Sequence, residues 1–312
     1  MRILVTGGAG FIGSHTVDAL IGARLHQVSI LDDLSAGKRE QINPSASFHQ
    51  ADLRDAAAVR AVIERERPEV IIHLAAQMDV RRSVADPAFD AQVNLVGFLN
   101  LIEAARQHDL KRVIFASTGG AIYGEQDTFP CDEDHPRRPV SPYGVAKMAT
   151  EAYLHFYRVE YRIDYVALRY ANVYGPRQDP HGEAGVVAIF CGRILEGKPC
   201  TIFGDGGQTR DYVYVGDVVR ANLAALASNV SGAFNIGTGI ETDVNQLYGA
   251  LARVAGSNAP PAYGPARPGE QRRSVISAQR AARELGWRPQ VNLDDGLAQT
   301  FAYFRDRFAQ RR

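Results

Sequence analysis

Thr6-Gly7-Gly8-Ala9-Gly10-Phe11-Ile12-Gly13 follows directly on the apolar run Ile3-Leu4-Val5. The run predicts a short buried strand. Beyond the glycines, Phe11, Ile12, Val17, Leu20 and Ile21 recur at helical spacing on one face. A strand, a glycine turn and a helix together make a cradle for a pyrophosphate. The glycines let backbone N–H groups approach it, and the helix N-terminus attracts its charge. Gly7, Gly10 and Gly13 form a GxxGxxG variant of the dinucleotide-binding fingerprint.

Val28-Ser29-Ile30-Leu31 predicts a second strand, ending in Asp32-Asp33. Asp32 stands close to the ~20-residue interval expected for the acidic residue on the adenosine ribose. A carboxylate there accepts from both ribose hydroxyls and repels a 2′-phosphate, so the cofactor is expected to be NAD rather than NADP. Lys38 and Arg39 nearby work against that choice. Asp33, Leu34, Ser35 and Gly37 continue the expected cofactor edge. Ser47–Gln50 reads as a third strand, followed by Asp52, Leu53 and Asp55. An aspartate there either holds the adenine amine or caps the helix expected over Ala56–Arg67. Val70–His73 reads as a fourth strand, running into Leu74, Ala75, Ala76 and Gln77, where small residues let a cofactor pass close. His73 has no evident partner.

A long helix is expected over Pro87–Gln107, with Asn94 inside it near the nicotinamide, then a fifth strand over Arg112–Ala116. Ser117 and Thr118 follow at its carboxyl end, where α/β sheets bind ligands. Asp164–Arg169 gives a sixth strand. Strands alternating with helices predict a parallel, doubly wound α/β sheet of the Rossmann type.

Ser141-Pro142-Tyr143-Gly144-Val145-Ala146-Lys147 carries the candidate chemistry. Ser141 suits an N-cap and Pro142 a first helical position. Tyr143 and Lys147, four apart, then share one face. The helix dipole and the Lys147 ammonium are expected to lower the Tyr143 phenol from its ordinary value near ~10, making it a general base.

The 312 residues leave room for a second, smaller lobe. The dinucleotide domain is expected over 1–171 and a substrate lobe over 172–312, with part of 210–240, Val213–Val215 in particular, returning to the main sheet. Val186–Leu195 and Leu293–Phe308 are expected helices. Lys plus Arg and Asp plus Glu number 35 each, so no basic excess points to nucleic acid. Three scattered cysteines suit neither a disulfide framework nor a metal site, and fit a reducing compartment. No signal peptide or ~20-residue apolar span is expected, which puts the protein in the cytoplasm, away from membranes.

In order along the chain, TGGAGFIG, the strand-end Ser-Thr and YGVAK resemble the extended short-chain dehydrogenase/reductase family. Leu168-Arg169-Tyr170-Ala171-Asn172-Val173-Tyr174-Gly175-Pro176, Arg210–Asp217 and Arg267-Pro268-Gly269-Glu270 resemble its nucleotide-sugar branch, most closely the bacterial UDP-glucose 4-epimerases. The resemblance implies NAD held throughout the reaction and a UDP-hexose oxidised at C4 to a 4-keto sugar, then reduced on its other face. It implies Tyr143 as base, Lys147 on the nicotinamide ribose, Thr118 orienting the 4-hydroxyl and Tyr170 beside the cofactor. For the substrate it implies Arg210 and Arg267 on the diphosphate, Glu270 on the uridine ribose and Asn172 on the diphosphate or sugar. Phe203 either stacks on uracil or is a core aromatic. The resemblance implies that Ser274 stands at the pocket wall that governs sugar size, where a small side chain is expected to admit N-acetylated hexoses. A homodimer through Pro87–Gln107 and Tyr143–Tyr161 is implied.

The chain departs from the family at Gly119, where many members carry the catalytic Ser or Thr; Thr118, Ser117 or neither serves here. Gly119-Gly120 also replaces the Asp-Glu that nucleotide-sugar 4,6-dehydratases need for elimination. A UDP-uronate 4-epimerase, with Arg81 or Arg82 meeting the carboxylate, and a non-catalytic NAD-binding regulator are the other readings.

Overall fold

The computed structural model describes residues 1–180, 185–267 and 271–310. The first half largely alternates strand and helix. Strand β1 (Arg2–Thr6) leads through the glycine turn to α1 (Phe11–Gly22), then β2 (Gln27–Asp32), β3 (Ser47–Gln50), α2 (Ala56–Glu66) and β4 (Val70–His73). Two short helices, α3 (Val80–Ala85) and α4 (Pro87–Ala91), precede α5 (Gly97–Ala105), β5 (Arg112–Thr118), α6 (Pro142–Tyr161) and β6 (Asp164–Tyr170). The chain then leaves the sheet through β7 (Asn172–Tyr174), α7 (Val186–Leu195), β8 (Thr201–Phe203), β9 (Thr209–Arg210) and β10 (Tyr212–Tyr214). Helix α8 (Val215–Ala227) brings it back to β11 (Gly232–Ile236). It closes with β12 (Thr242–Asp243), α9 (Val244–Ala255), β13 (Ala262–Gly264) and α10 (Leu293–Ala309).

Seven strands form the central sheet in the order β11-β6-β5-β4-β1-β2-β3, every neighbouring pair parallel. β1 lies between β2 and β4, with Ile3 beside both Val28 and Val70. The strand order reverses there, which opens a crevice at the carboxyl ends. Alternate strand residues face opposite layers. Ile3, Val5, Ile30 and Ile72 pack with Val17 and Leu20 of α1 and Val218 and Ala221 of α8. Leu4, Leu31, Ile71 and Phe115 pack with Ile63 of α2, Phe98 of α5 and Leu154 of α6. A third cluster joins Phe190, Leu247, Leu251, Leu297 and Phe301 beneath α7, α9 and α10. No helix among the described residues is long and apolar enough to cross a membrane.

Two elements depart from expectation. The helix expected over Pro87–Gln107 is α4 and α5 joined by a wider π-helical segment, Gln92–Val96. Val213 does not enter the main sheet: β10 pairs with β7 in a separate parallel ribbon. The strand that returns beside β6 is β11, whose Phe234 and Ile236 are fully buried. α8 supplies the crossover that a parallel return requires.

Candidate functional site

The glycine turn is shaped by backbone crowding. Gly7 has φ +70°, and a Cβ there would come 2.6 Å from the Ala75 nitrogen. At Gly13 a Cβ would collide with the Gly7 carbonyl. Gly10 caps α1 without a side chain, and the first turn holds no acidic residue. The open amides after Gly10 and half-buried Phe11 and Ile12 thus leave the positive helix end without a side-chain cap among the described residues. That is the property a pyrophosphate requires.

Asp32 is buried and accepts from the Ala9 amide at 3.0 Å and the Leu34 amide at 2.9 Å; burial pushes its carboxyl up. Gly37 packs directly on this carboxylate. Asp33 holds Ser35 through its amide at 2.8 Å and its hydroxyl at 2.6 Å, while Leu34 turns with φ +62°. Arg39 is spent on Gln50 and the Phe48 ring. Of the two candidates after β3, Asp55 caps α2 by accepting from Ala57 and Ala58. Asp52 pairs with Arg54, whose guanidinium holds the carboxyl below its usual range. Leu53 is buried against Gly97.

After β4 the backbone is tied to β1: Leu74 donates to the Thr6 carbonyl and Ala75 to the Thr6 hydroxyl. His73, the residue without an evident partner in sequence, bonds Thr6 through Nδ1 at 2.7 Å and stacks on Phe115. Burial lowers it to about 3. Half-buried Ala76 and Gln77 continue this edge. The π-helical turn presents Asn94 to Gln77: its Oδ1 accepts the Gln77 amide at 2.9 Å, and its Nδ2 donates to the Gln77 carbonyl and to Asp90. Such wide turns favour functional sites.

Ser141 caps α6 by accepting from Gly144 at 3.2 Å. Lys147 is buried and donates from Nζ to the Ala116 carbonyl at 2.9 Å. Its Nζ lies 4.7 Å from the Phe115 ring centre and 5.6 Å from that of half-buried Tyr143. Burial lowers the amine to about 8, opposed by the carboxylates of Asp90 and Glu151. Burial raises the Tyr143 phenol, and Asp90 raises it further. This corrects the expected depression. Lys147 faces the Ala116 carbonyl and the ring rather than bonding the phenol oxygen, and the nearer carboxylate works against phenolate.

β5 extends to Thr118, so Ser117 and Thr118 are its last residues and point to opposite faces. Ser117 donates to Glu151 at 2.6 Å. Glu151 is also gripped by Arg169, at 3.0 and 2.6 Å, so Ser117 belongs to a buried ionic network. Thr118 is half-buried, and its hydroxyl accepts the Ala121 amide at 3.1 Å. A Cβ on Gly120 would meet Thr118 Oγ1 at 4.0 Å and Asn172 Oδ1 at 3.7 Å, which brings these two polar groups to one spot.

The Tyr170 hydroxyl does not reach the crevice; it donates to Asn222 at 2.7 Å in the core. On the substrate side, Arg210 donates to the Thr209 and Gln271 carbonyls at 2.7 and 2.9 Å. Phe203 is half-buried, with the exposed Arg267 guanidinium 3.8 Å above its ring centre. Ser274 is buried. Glu270 lies outside the described residues. Arg82 covers Phe89 at 4.1 Å.

Sequence reasoning missed Asp90, Glu151 and Arg169. Glu151 was available: it continues the Tyr143–Lys147 face by one further turn. Asp90 is near only through the fold.

Residues 3–237 match the model of the NAD dependent epimerase/dehydratase family. The chain is 48% identical to a UDP-glucose 4-epimerase of Mycolicibacterium smegmatis, over 98% of this chain and 99% of that protein. A UDP-glucose 4-epimerase of Thermotoga maritima solved with UDP-glucose is 50% identical, with a TM-score of 0.97 over 99% of this chain and 100% of that one. A Thermus thermophilus UDP-glucose 4-epimerase solved with NAD is 48% identical, with a TM-score of 0.93 over 98% and 99%. The parallel central sheet matches these epimerase structures, and the chain belongs to the NAD dependent epimerase/dehydratase family.

Proposed function

We propose that the protein is an NAD-dependent epimerase acting at C4 of a UDP-hexose, interconverting UDP-glucose and UDP-galactose. One observation carries the reading: Lys147 lies 5.6 Å from the Tyr143 ring centre and reaches the Ala116 carbonyl, two residues before Thr118 at the carboxyl end of β5. The start of α1, without a side-chain cap, and the backbone-held Asp32 fit a dinucleotide, with Gly7, Gly10, Phe11, Ile12 and Gly13 along the pyrophosphate. NAD, when bound, supplies the hydride acceptor and donor. Tyr143 takes the proton of the 4-hydroxyl and later returns it; Thr118 orients that hydroxyl, and Lys147 holds the nicotinamide ribose. Positive charge brought by the cofactor is what the protein's own groups leave for lowering the phenol.

Arg210, Arg267 and Glu270 hold the uridine diphosphate, Asn172 the sugar end and Phe203 the uracil once Arg267 swings to phosphate. Buried, small Ser274 leaves space for an N-acetyl group, so the N-acetylated pair fits as well. The protein works in the cytoplasm as a homodimer, in galactose metabolism. The test is incubation with a panel of UDP and dTDP sugars without added cofactor, with products resolved by anion-exchange chromatography. C4 epimers are expected, and Tyr143→Phe should keep fold and NAD while losing nearly all rate. A 6-deoxy-4-keto product, or full activity in Tyr143→Phe, overturns the proposal.

A further inference from the structure

Gly119 is glycine for lack of space. Its φ is outside the left-handed region, so the backbone alone would accept a side chain. A Cβ there would come 2.5 Å from Ile276 Cδ1, 3.3 Å from Ile276 Cγ2 and 3.2 Å from the Arg169 carbonyl. Gly237 stands against the same side chain: its Cβ would lie 2.8 Å from Ile276 Cγ1. Gly119 directly follows β5 and Gly237 directly follows β11. Ile276, 1% exposed, is therefore wedged between the carboxyl ends of two strands.

The wedge cannot retreat. Ile276 forms a parallel bridge with Cys131. On either side, Cys131 donates to the Val275 carbonyl at 3.1 Å and Ser277 donates to the Cys131 carbonyl at 2.7 Å. Val275 donates to buried Gln126 at 3.0 Å. The side chain packs with Ile122 and Tyr123. The same stretch carries Gln271, whose carbonyl accepts from Arg210, and Ser274. A strap from the substrate side thus reaches the strand end that presents Thr118, which is itself fixed by Gly119 donating to the Tyr170 carbonyl at 2.7 Å.

We propose that Ile276 is a positioning residue for the reaction: by filling the space beside Gly119 it sets the end of β5 and so the direction of the Thr118 hydroxyl. The inference rests on the role given to Thr118 above. Its mechanism is steric. Core side chains at native density leave no free volume, so removing the wedge lets the Gly119-Gly120 turn relax and carries the hydroxyl off its line. A misplacement of about 1 Å can cost up to about 10²-fold in rate.

The test is a cycle of Ile276→Ala, Gly119→Ala and the pair, reading kcat, KM and Tm for UDP-galactose. Ile276→Ala is expected to lower kcat about 10-fold with KM little changed. Gly119→Ala alone clashes and should lose more. The pair should recover most of kcat, because the new methyl refills the space the wedge left. Should Ile276→Ala not fold, Ile276→Val, which deletes the methyl facing Gly119, takes its place in the cycle. A lowered Tm with unchanged kcat, or a pair no better than its singles, overturns the proposal. Thr118→Val in the same assay separates the two readings. If it keeps the wild-type rate, the role of Thr118 fails; if it is inactive while Ile276→Ala is not impaired, the wedge alone fails.

Discussion

Adjacent hydroxyls at the end of β5 have different work. Ser117 completes a buried Glu151–Arg169 network, and Thr118 faces the crevice beside Asn172. Thr118→Val is therefore expected to reduce kcat by up to about 10²-fold, with a stability cost of about 1 kcal/mol from the Ala121 amide it no longer accepts. Ser117→Ala should leave the rate within a few-fold and cost about 1 kcal/mol in chemical denaturation. The opposite pattern would exchange their roles. Lys147 gives a pH expectation. Its ammonium, lowered by burial to about 8, is present below that pH and lost above it. If the rate needs the ammonium, kcat/KM falls as pH rises through about 8. Asp90 works to keep Lys147 charged, so Asp90→Asn should move this alkaline limb to lower pH. A limb that stays in place would disconnect it from Lys147. The pairing of Tyr143 with Lys147 was legible at i, i+4, but the phenol's environment was not. The Ala116 carbonyl that takes the lysine and the Asp90 carboxylate come from other parts of the chain.

Elements whose signals are local were read correctly. The glycine turn and the Ser141-Pro142 start of α6 each need only a few neighbouring residues, while the aspartate after β3 was left open between adenine and cap until the fold gave Asp55 the cap of α2. Ser141 accounts for one orphan amide at the start of the 20-residue helix that carries Tyr143 and Lys147. Ser141→Ala should cost about 1 kcal/mol in Tm-derived stability, with a larger proportional loss of rate if the first turn frays around Tyr143. Unchanged Tm would mean that packing alone holds that turn. Partner choice was not legible. Val213 is apolar and β-branched wherever it pairs, and only the fold decides that it lies beside Val173. Gly232-Ala233 gave little strand signal, yet that segment takes the sheet edge beside Val166 and Ala167. The π-helical turn at Asn94 follows from its clasp on Gln77, a contact between segments that sequence periodicity does not describe.

At the scale of the molecule, α6 and the segment before α5 leave Val96, Val145, Phe156 and Val159 exposed, Val159 at 68%. Exposed apolar side chains on these two neighbouring elements fit the proposed homodimer. Val159→Glu should shift sedimentation from dimer to monomer while the NAD content of the monomer is kept; a wild-type protein that sediments as a monomer removes the prediction. The strand β11 carries a different consequence. The central sheet receives its last strand only from chain that has already passed through β7, α7 and β8–β10. A growing polypeptide therefore cannot finish its first layer until Ile236 has emerged, and the sheet and the ribbon β7-β10 beyond it reach maturity together.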